Sequence, residues 1–241
     1  MVYRICIFLL NLFFPLTCGV CGKEDYYSRH TALCGPCIRK AGPKRRGPRC
    51  RVCSNLLPES GLCSFCDSRN VFFDRALSIH DRSDILSLAL NRLKTRQEYS
   101  LSFFLGLGSK KVLRSIRSEP WEAYCLLPSH QKRGWLGSKN RPFRPTERLS
   151  DIVSNTLKIP EIRPLHKKSK DKQAGKSYAE RFFHAHEAWE IREEWKGVCP
   201  KRILLLDDVF TTGASVNEAS RILKRNGAEK VYVLTYLRTL D

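Results

Sequence analysis

The sequence predicts an α/β fold, a parallel sheet flanked by helices, preceded by a small cysteine-rich zinc-ribbon module. Three observations predict it: four Cys-x-x-Cys pairs lie between Cys18 and Cys66, strands and helices alternate beyond Ser83, and the chain closes on a strand, helix, strand unit. A chain of 241 residues with 42% hydrophobic content can build one substantial core plus a smaller module, and is too polar to be a membrane protein throughout. The expected division is a short packing helix over 1–17, a double zinc ribbon over 18–70 and the α/β domain over 71–241.

At the amino terminus, Arg4 precedes an apolar run from Ile5 to Phe14. A signal peptide reaching Cys18 is one reading and a short packing helix the other. A single basic residue makes a poor leader, and Cys18 already belongs to the first Cys-x-x-Cys pair, so the helix is preferred. The run is also shorter than the ~20 residues a spanning helix needs, so no membrane span is expected.

Of the 11 cysteines, eight form the sets Cys18, Cys21, Cys34, Cys37 and Cys50, Cys53, Cys63, Cys66. The spacing lets two thiolates grip one tetrahedral ion, and the gaps of twelve and nine residues within the sets let the chain turn and bring the second pair to the same ion. Soft thiolates suit zinc, with iron fitting the same spacing, and a cross-braced arrangement would use the same eight residues. Two structural zinc ions and a reducing, cytoplasmic compartment are the expectation. Cys6, Cys125 and Cys199 lack a close partner and read as small buried residues.

Beyond the ribbons, Ile85, Leu88, Ala89 and Leu93 recur at helical spacing behind a Ser cap, and apolar positions continue to Leu105, predicting one or two helices. Tyr124 to Leu127 reads as a short strand stopped by Pro128, and Leu149, Ile152 and Val153 behind Thr146 as another helix. Lys167 to Lys176 is basic and polar and reads as a mobile loop or surface hairpin. Ile203 to Leu206 is a buried-type strand, Ser215 to Asn226 a helix ended by Gly227, and Val231 to Leu237 a second strand.

With 43 Lys and Arg against 24 Asp and Glu, the formal charge of +19 favours a polyanionic partner, nucleic acid or a phosphorylated small molecule. Lys44, Arg45, Arg46, Arg49 and Arg51 stand in a stretch without acidic residues, which suits contact with a nucleic-acid backbone. A solubilising linker is the plainer reading, and no aromatic residue is interleaved to stack on bases.

Ile203-Leu204-Leu205-Leu206-Asp207-Asp208-Val209-Phe210-Thr211-Thr212-Gly213-Ala214-Ser215 carries the chemistry. An apolar strand ends in two carboxylates, and a Thr-Thr-Gly-Ala-Ser turn then opens a helix whose free N–H groups and positive dipole end favour an anion. Gly213 allows close backbone approach, and the hydroxyls of Thr211, Thr212 and Ser215 can donate to phosphate oxygens. Asp207 and Asp208 can accept from ribose hydroxyls or hold water around a magnesium ion on a pyrophosphate. Helix capping, the plainer role for an acid here, needs only one of them and leaves Thr-Thr-Gly unexplained.

This segment resembles the phosphoribosyl pyrophosphate motif of the type I phosphoribosyltransferases: an apolar strand, two acids, two more residues and Thr-Thr-Gly. A wider resemblance spans nearly the whole chain, which looks like a member of the ComF family, amidophosphoribosyltransferase-like and linked to DNA uptake in competence. Phe14-Pro15 before Cys18, the paired cysteines, Arg92-Leu93-Lys94, Leu127-Pro128, Gln173 with Arg181, and the Val231 to Thr239 strand occur in the family's order. The resemblance implies a type I phosphoribosyltransferase-like sheet and a pyrophosphate-facing loop at 128–133. Within that loop Lys132 and Arg133 are implied catalytic contacts, and Arg181 would reach the site. Where members have Arg-Gly-Phe-Asn-Gln this chain has Arg141-Pro142-Phe143-Arg144-Pro145, and His184 and Trp189 replace an Asn and a Phe; these departures fall on the substrate side. His184 and His186 read as ordinary surface or core histidines before they read as a catalytic pair.

Three functions follow. One is a transferase in which pyrophosphate leaves phosphoribosyl pyrophosphate and a nitrogen nucleophile attacks. Another is a non-catalytic single-stranded-DNA-binding protein that keeps the fold as a scaffold. The third is a sensor whose pocket alters DNA or partner binding. Competence proteins such as a helicase are implied partners.

Overall fold

A computed structural model describes residues 17–25, 31–128, 145–167 and 188–240. The helix expected over 1–17, Lys132, Arg133, Gln173, Arg181, His184 and His186 lie outside the described residues, apart from Thr17. The 141–145 segment enters them only at Pro145, and the basic run only at Lys167.

The described elements are α1 (Gly35–Ala41), α2 (Ser64–Ser68), β1 (Arg75–Asp81), α3 (Asp84–Arg96), α4 (Ser100–Leu105), α5 (Ser109–Arg114) and β2 (Ala123–Leu126). They continue with α6 (Glu147–Leu157), β3 (Glu161–Ile162), β4 (Leu165–Lys167), β5 (Trp189–Ile191), β6 (Arg202–Phe210), α7 (Ala214–Arg225) and β7 (Lys230–Arg238). The chain forms two compact units, Met1–Pro43 with Arg82–Leu107 and Lys44–Asp81 with Gly108–Asp241, so the two cysteine sets fall in different units.

In the first unit, α3 starts where the Ser83 hydroxyl accepts the Leu86 N–H at 3.4 Å, the cap expected at that position. Its buried stripe is Leu86, Ala89, Leu90 and Leu93. Ile85 and Leu88, which the spacing assigned to that stripe, sit at its border, with Leu88 39% exposed. Arg92 donates to the Gly19 carbonyl at 3.0 Å, tying α3 to the loop between Cys18 and Cys21. Gly19 admits no side chain, because a Cβ there would lie 2.8 Å from Leu101 of α4.

The second unit is built on a five-stranded sheet ordered β1-β7-β6-β2-β3, with every pairing parallel. Ile203 to Leu206 are fully buried, as a central parallel strand covered on both faces must be. On one face, Ile203, Leu205, Val231 and Val233 meet Val216, Ala219, Ile222 and Leu223 of α7. Burying each such side chain contributes about 1.5–3 kcal/mol against the cost of ordering it. The opposite face carries Leu204 and Leu206; Tyr124, in register with Leu204, places its hydroxyl 2.9 Å from Ser150 of α6. Thus α6 and α7 cover opposite faces.

Strand β1 was not anticipated from sequence. Its residues alternate between half-buried and buried, and two of the buried ones, Ser78 and Asp81, are polar, so the apolar signature of a strand is weak. It lies at the sheet edge, where segment 44–54 covers it: Ala76 N–H donates to the Val52 carbonyl, and the Ser54 hydroxyl and Lys44 ammonium donate to the Ala76 and Ser78 carbonyls.

Candidate functional site

The two cysteine sets close into two separate clusters, in each of which all four Sγ atoms lie within 4.8 Å of one another. The cross-braced alternative is thereby excluded. Cys21 and Cys34 Sγ stand 3.5 Å apart, and Cys53 and Cys63 Sγ 3.4 Å, close to the ~3.8 Å edge of a tetrahedron with Zn–S bonds of ~2.3 Å. Backbone N–H groups of Val20 and Cys21 donate to Cys18 Sγ, which favours thiolate over thiol. Burial opposes ionisation of Cys18, yet the backbone N–H groups of Cys21, Cys34 and Val20 hold it at about 7. A hydrogen bond from Cys66 and the Arg238 charge hold Cys53 at about 5. Cys37 is pushed well up by burial, and Cys66 by its bond to Cys53. Four thiols this close ionise together only around a cation, so both clusters fit structural zinc, which would fix the turns that carry them.

The Thr211–Ser215 turn sits at the switch point of the sheet. From β2 the chain moves outward through α6 to β3, and from β6 it moves the other way through α7 to β7. The carboxyl ends of β2 and β6 are therefore the switch point of an open parallel sheet, the place where such sheets generally bind ligands. Just past β2, the Pro128 carbonyl accepts the Trp189 indole N–H at 3.1 Å, pinning the end of the β2 segment to β5. Asp207 and Asp208 lie at the end of β6, and the Thr211–Ser215 turn follows them.

Strand alternation sends the two carboxylates to opposite faces. Asp207 follows Ile203 and Leu205 on the α7 face, in register with Thr235, and its Oδ1 accepts the Asp208 N–H at 2.8 Å. Asp208 shares its face with Tyr236, a fully buried residue whose hydroxyl burial pushes well above its ordinary pKa. Beyond them Gly213 adopts φ 74° and ψ −2°, and a Cβ there would lie 2.5 Å from Phe210 Cζ. Glycine is thus favoured by the backbone angle and by packing together. The Thr212 hydroxyl accepts the Ala214 N–H at 3.3 Å and keeps its own O–H to donate. No acidic residue occupies the first turn of α7, so no carboxylate of that turn offsets the positive end of its dipole.

The five basic residues assigned to nucleic acid divide in two. Lys44 donates to the Ser78 carbonyl at 2.6 Å, and Arg49 binds Asp81 at 2.7 Å and the Ser54 and Arg45 carbonyls, so both serve the fold. Arg45, Arg46 and Arg51 have exposed side chains. Sequence reasoning overlooked Lys110, Lys111 and Arg114, also exposed, on α5, a helix that packs against β1. Their signal was available in the lack of any acid between Glu98 and Glu119.

Arg238, also overlooked, is 3% exposed beside the turn. Among the described residues no helix is long and apolar enough to cross a membrane.

Comparison with known proteins agrees with this organisation. Residues 9–67 match the double zinc ribbon domain family. Competence protein F of Haemophilus influenzae is 25% identical over 92% of this chain and 96% of its own length. DNA utilization protein YhgH of Escherichia coli O157:H7 is 26% identical over 94% and 98%. Competence protein ComFC of Streptococcus pneumoniae is 44% identical over 39 residues, 16% of this chain and 18% of that protein. Among solved structures, APRTase from Giardia lamblia complexed with 9-deazaadenine covers 61% of this chain and 83% of its own, with 16% identity and a TM-score of 0.34.

Proposed function

We propose that this chain, a homologue of competence protein F and the DNA utilization proteins over most of its length, binds phosphoribosyl pyrophosphate or a related sugar 5'-phosphate and serves the handling of DNA in the cytoplasm. One observation carries the reading: a Thr-Thr-Gly turn, with Gly213 at φ 74°, joins an acid-tipped central strand to a helix N-terminus at the switch point of the sheet. The phosphate monoester seats on the amides and hydroxyls of Thr211 to Ser215. A ribose placed over the end of β6 then meets one carboxylate on each side, Asp207 and Asp208. Magnesium belongs to this reading as counter-ion of the pyrophosphate, which also needs Lys132 and Arg133. In its catalytic form the bond from the anomeric carbon to pyrophosphate breaks, and a nitrogen nucleophile bonds to that carbon and loses a proton.

The exposed side chains of Arg45, Arg46, Arg51, Lys110, Lys111 and Arg114 favour a second reading, a scaffold that binds the backbone of single-stranded DNA. Calorimetric titration of the zinc-loaded chain separates the two: phosphoribosyl pyrophosphate first, with and without magnesium, then single-stranded DNA in the same cell. Saturation that depends on magnesium and is lost in Thr212→Val and Asp208→Asn supports the sugar-phosphate site. Absence of heat with the sugar phosphate, together with salt-sensitive DNA binding weakened by Arg45→Glu and Arg46→Glu, would replace it with the scaffold.

A further inference from the structure

Arg238 occupies the last position of β7, in register with Phe210 of β6 on one side and Asp81 of β1 on the other. Its guanidinium spans three neighbours. One amino group donates to the Thr211 carbonyl at 2.8 Å, the other reaches Cys53 Sγ at 3.5 Å, and the plane lies 4.3 Å from the centroid of the Phe210 ring. Phe210 is the ring that lies against Gly213, and it also makes an edge contact with Phe73, centroid to centroid 5.6 Å. The ribbon, the phosphate turn and the ring beneath the turn thus converge on one buried cation.

A buried guanidinium needs a compensating anion. Asp81 is the nearest carboxylate in the register, but its Oδ2 is taken by Arg49 and the Arg45 N–H. Asp81 Oδ1 and Arg238 Nε are both buried and make no hydrogen bond among the described residues. The second cysteine cluster supplies the charge: four thiolates around one divalent cation leave a net negative site, and an N–H donated to a ligand sulfur orients it.

We infer that Arg238 is a positioning residue that couples the metal-bound state of the Cys50, Cys53, Cys63, Cys66 cluster to the conformation of the Thr211–Ser215 turn. This rests on the reading of that turn as the phosphate site. With the metal in place, Cys53 fixes the guanidinium, which then holds the Thr211 carbonyl and clamps Phe210 under Gly213. Without the metal, that buried charge loses its counter-charge and the turn loses its anchor.

Hydrogen exchange of the full chain, read by mass spectrometry, tests the coupling without any ligand. In the zinc-loaded protein, Arg238→Gln is expected to speed exchange over 211–216 about tenfold or more, the scale of a lost charge-assisted hydrogen bond, while 203–208 and the zinc content stay unchanged. Arg238→Lys, which keeps the charge but not the fork, is expected to fall between. Stripping zinc from the wild-type chain should speed 211–216 by a similar factor, and stripping it from Arg238→Gln should add nothing. Unchanged exchange over 211–216 in the loaded variant, or equal acceleration of both proteins on stripping, would overturn the inference. So would loss of protection across 203–208 on stripping, since the metal would then hold the sheet and not the turn. If Arg238→Gln does not fold, Arg238→Lys and the wild-type stripping arm decide the matter. A chain that shows the coupling but binds no sugar phosphate sinks the proposed function alone; the reverse result sinks this inference alone.

Discussion

Gly213→Ala isolates what the Thr211–Ser215 turn demands of its glycine. At φ 74° an alanine is in the left-handed region, at a cost of about 1–2 kcal/mol. Its Cβ would also lie 2.5 Å from Phe210 Cζ and 2.9 Å from Cε1, inside contact distance. The ring has little room to yield, being 2% exposed and packed against Phe73 and Arg238. Overpacking of this kind costs about 1–3 kcal/mol. The sum is about 2–5 kcal/mol, or a fall in Tm of about 4–20 °C for a chain of this size. Thermal and urea unfolding of the zinc-loaded protein measure it. In a Phe210→Leu background the clash disappears and the backbone cost stays, so the same substitution is expected to cost only about 1–2 kcal/mol. A cost below about 1 kcal/mol in the wild-type background, or an equal cost in both, would show that neither the backbone nor the ring constrains this position as argued.

Two further outcomes follow from the geometry. Asn217, 7% exposed on α7, accepts the Phe72 N–H at 2.7 Å and donates to the Asn70 carbonyl at 3.1 Å; Asn217→Ala strands both groups and is expected to cost about 2–4 kcal/mol by urea unfolding. In the metal-free chain the two cysteine sets should lose their thiolates in order as pH falls. Cys18 and Cys53 are held below the ordinary thiol value of 9.0, so the stability each contributes is present above that value and is lost as pH falls through about 7 for Cys18 and about 5 for Cys53. With Cys21 exposed, alkylation during chelation at constant pH should label Cys18, Cys21, Cys34 and Cys37 first. Labelling of Cys50 to Cys66 first would refute that order.

The parts of this molecule legible in sequence are those whose chemistry is local. Eight cysteines at ligand spacing declare their ions because two thiolates of a pair lie a single turn apart, and the structure adds only which pairs share an ion. The strand Ile203 to Leu206 is legible because a strand buried on both faces must be apolar throughout, and the strand-to-helix turn after it because Thr211-Thr212-Gly213 places a glycine where the backbone turns left-handed. Position in the sheet is a different matter. Ser78 and Asp81 make β1 look like a loop. Asp81 is polar because an edge strand covered by a basic segment needs a carboxylate to receive the Arg45 N–H and Arg49. Lys44 is met instead by the Ser78 backbone carbonyl, and nothing in the structure explains the Ser78 hydroxyl. The same blindness makes Lys44 and Arg49 read as free cations.

Arg238 is the sharpest case. Between Leu237 and Thr239, its sequence neighbours name no partner for its charge. Only the parallel register of β1, β7 and β6 brings it beside Asp81 and Phe210, and only the docking of segment 44–54 on β1 brings Cys53 to its other side. A residue 185 positions from Cys53 thus becomes its hydrogen-bond donor. The order of the strands, which no local pattern encodes, therefore decides whether the second cysteine cluster is remote from the Thr211–Ser215 turn or linked to it. In this fold one guanidinium bonds to both Cys53 and the Thr211 carbonyl.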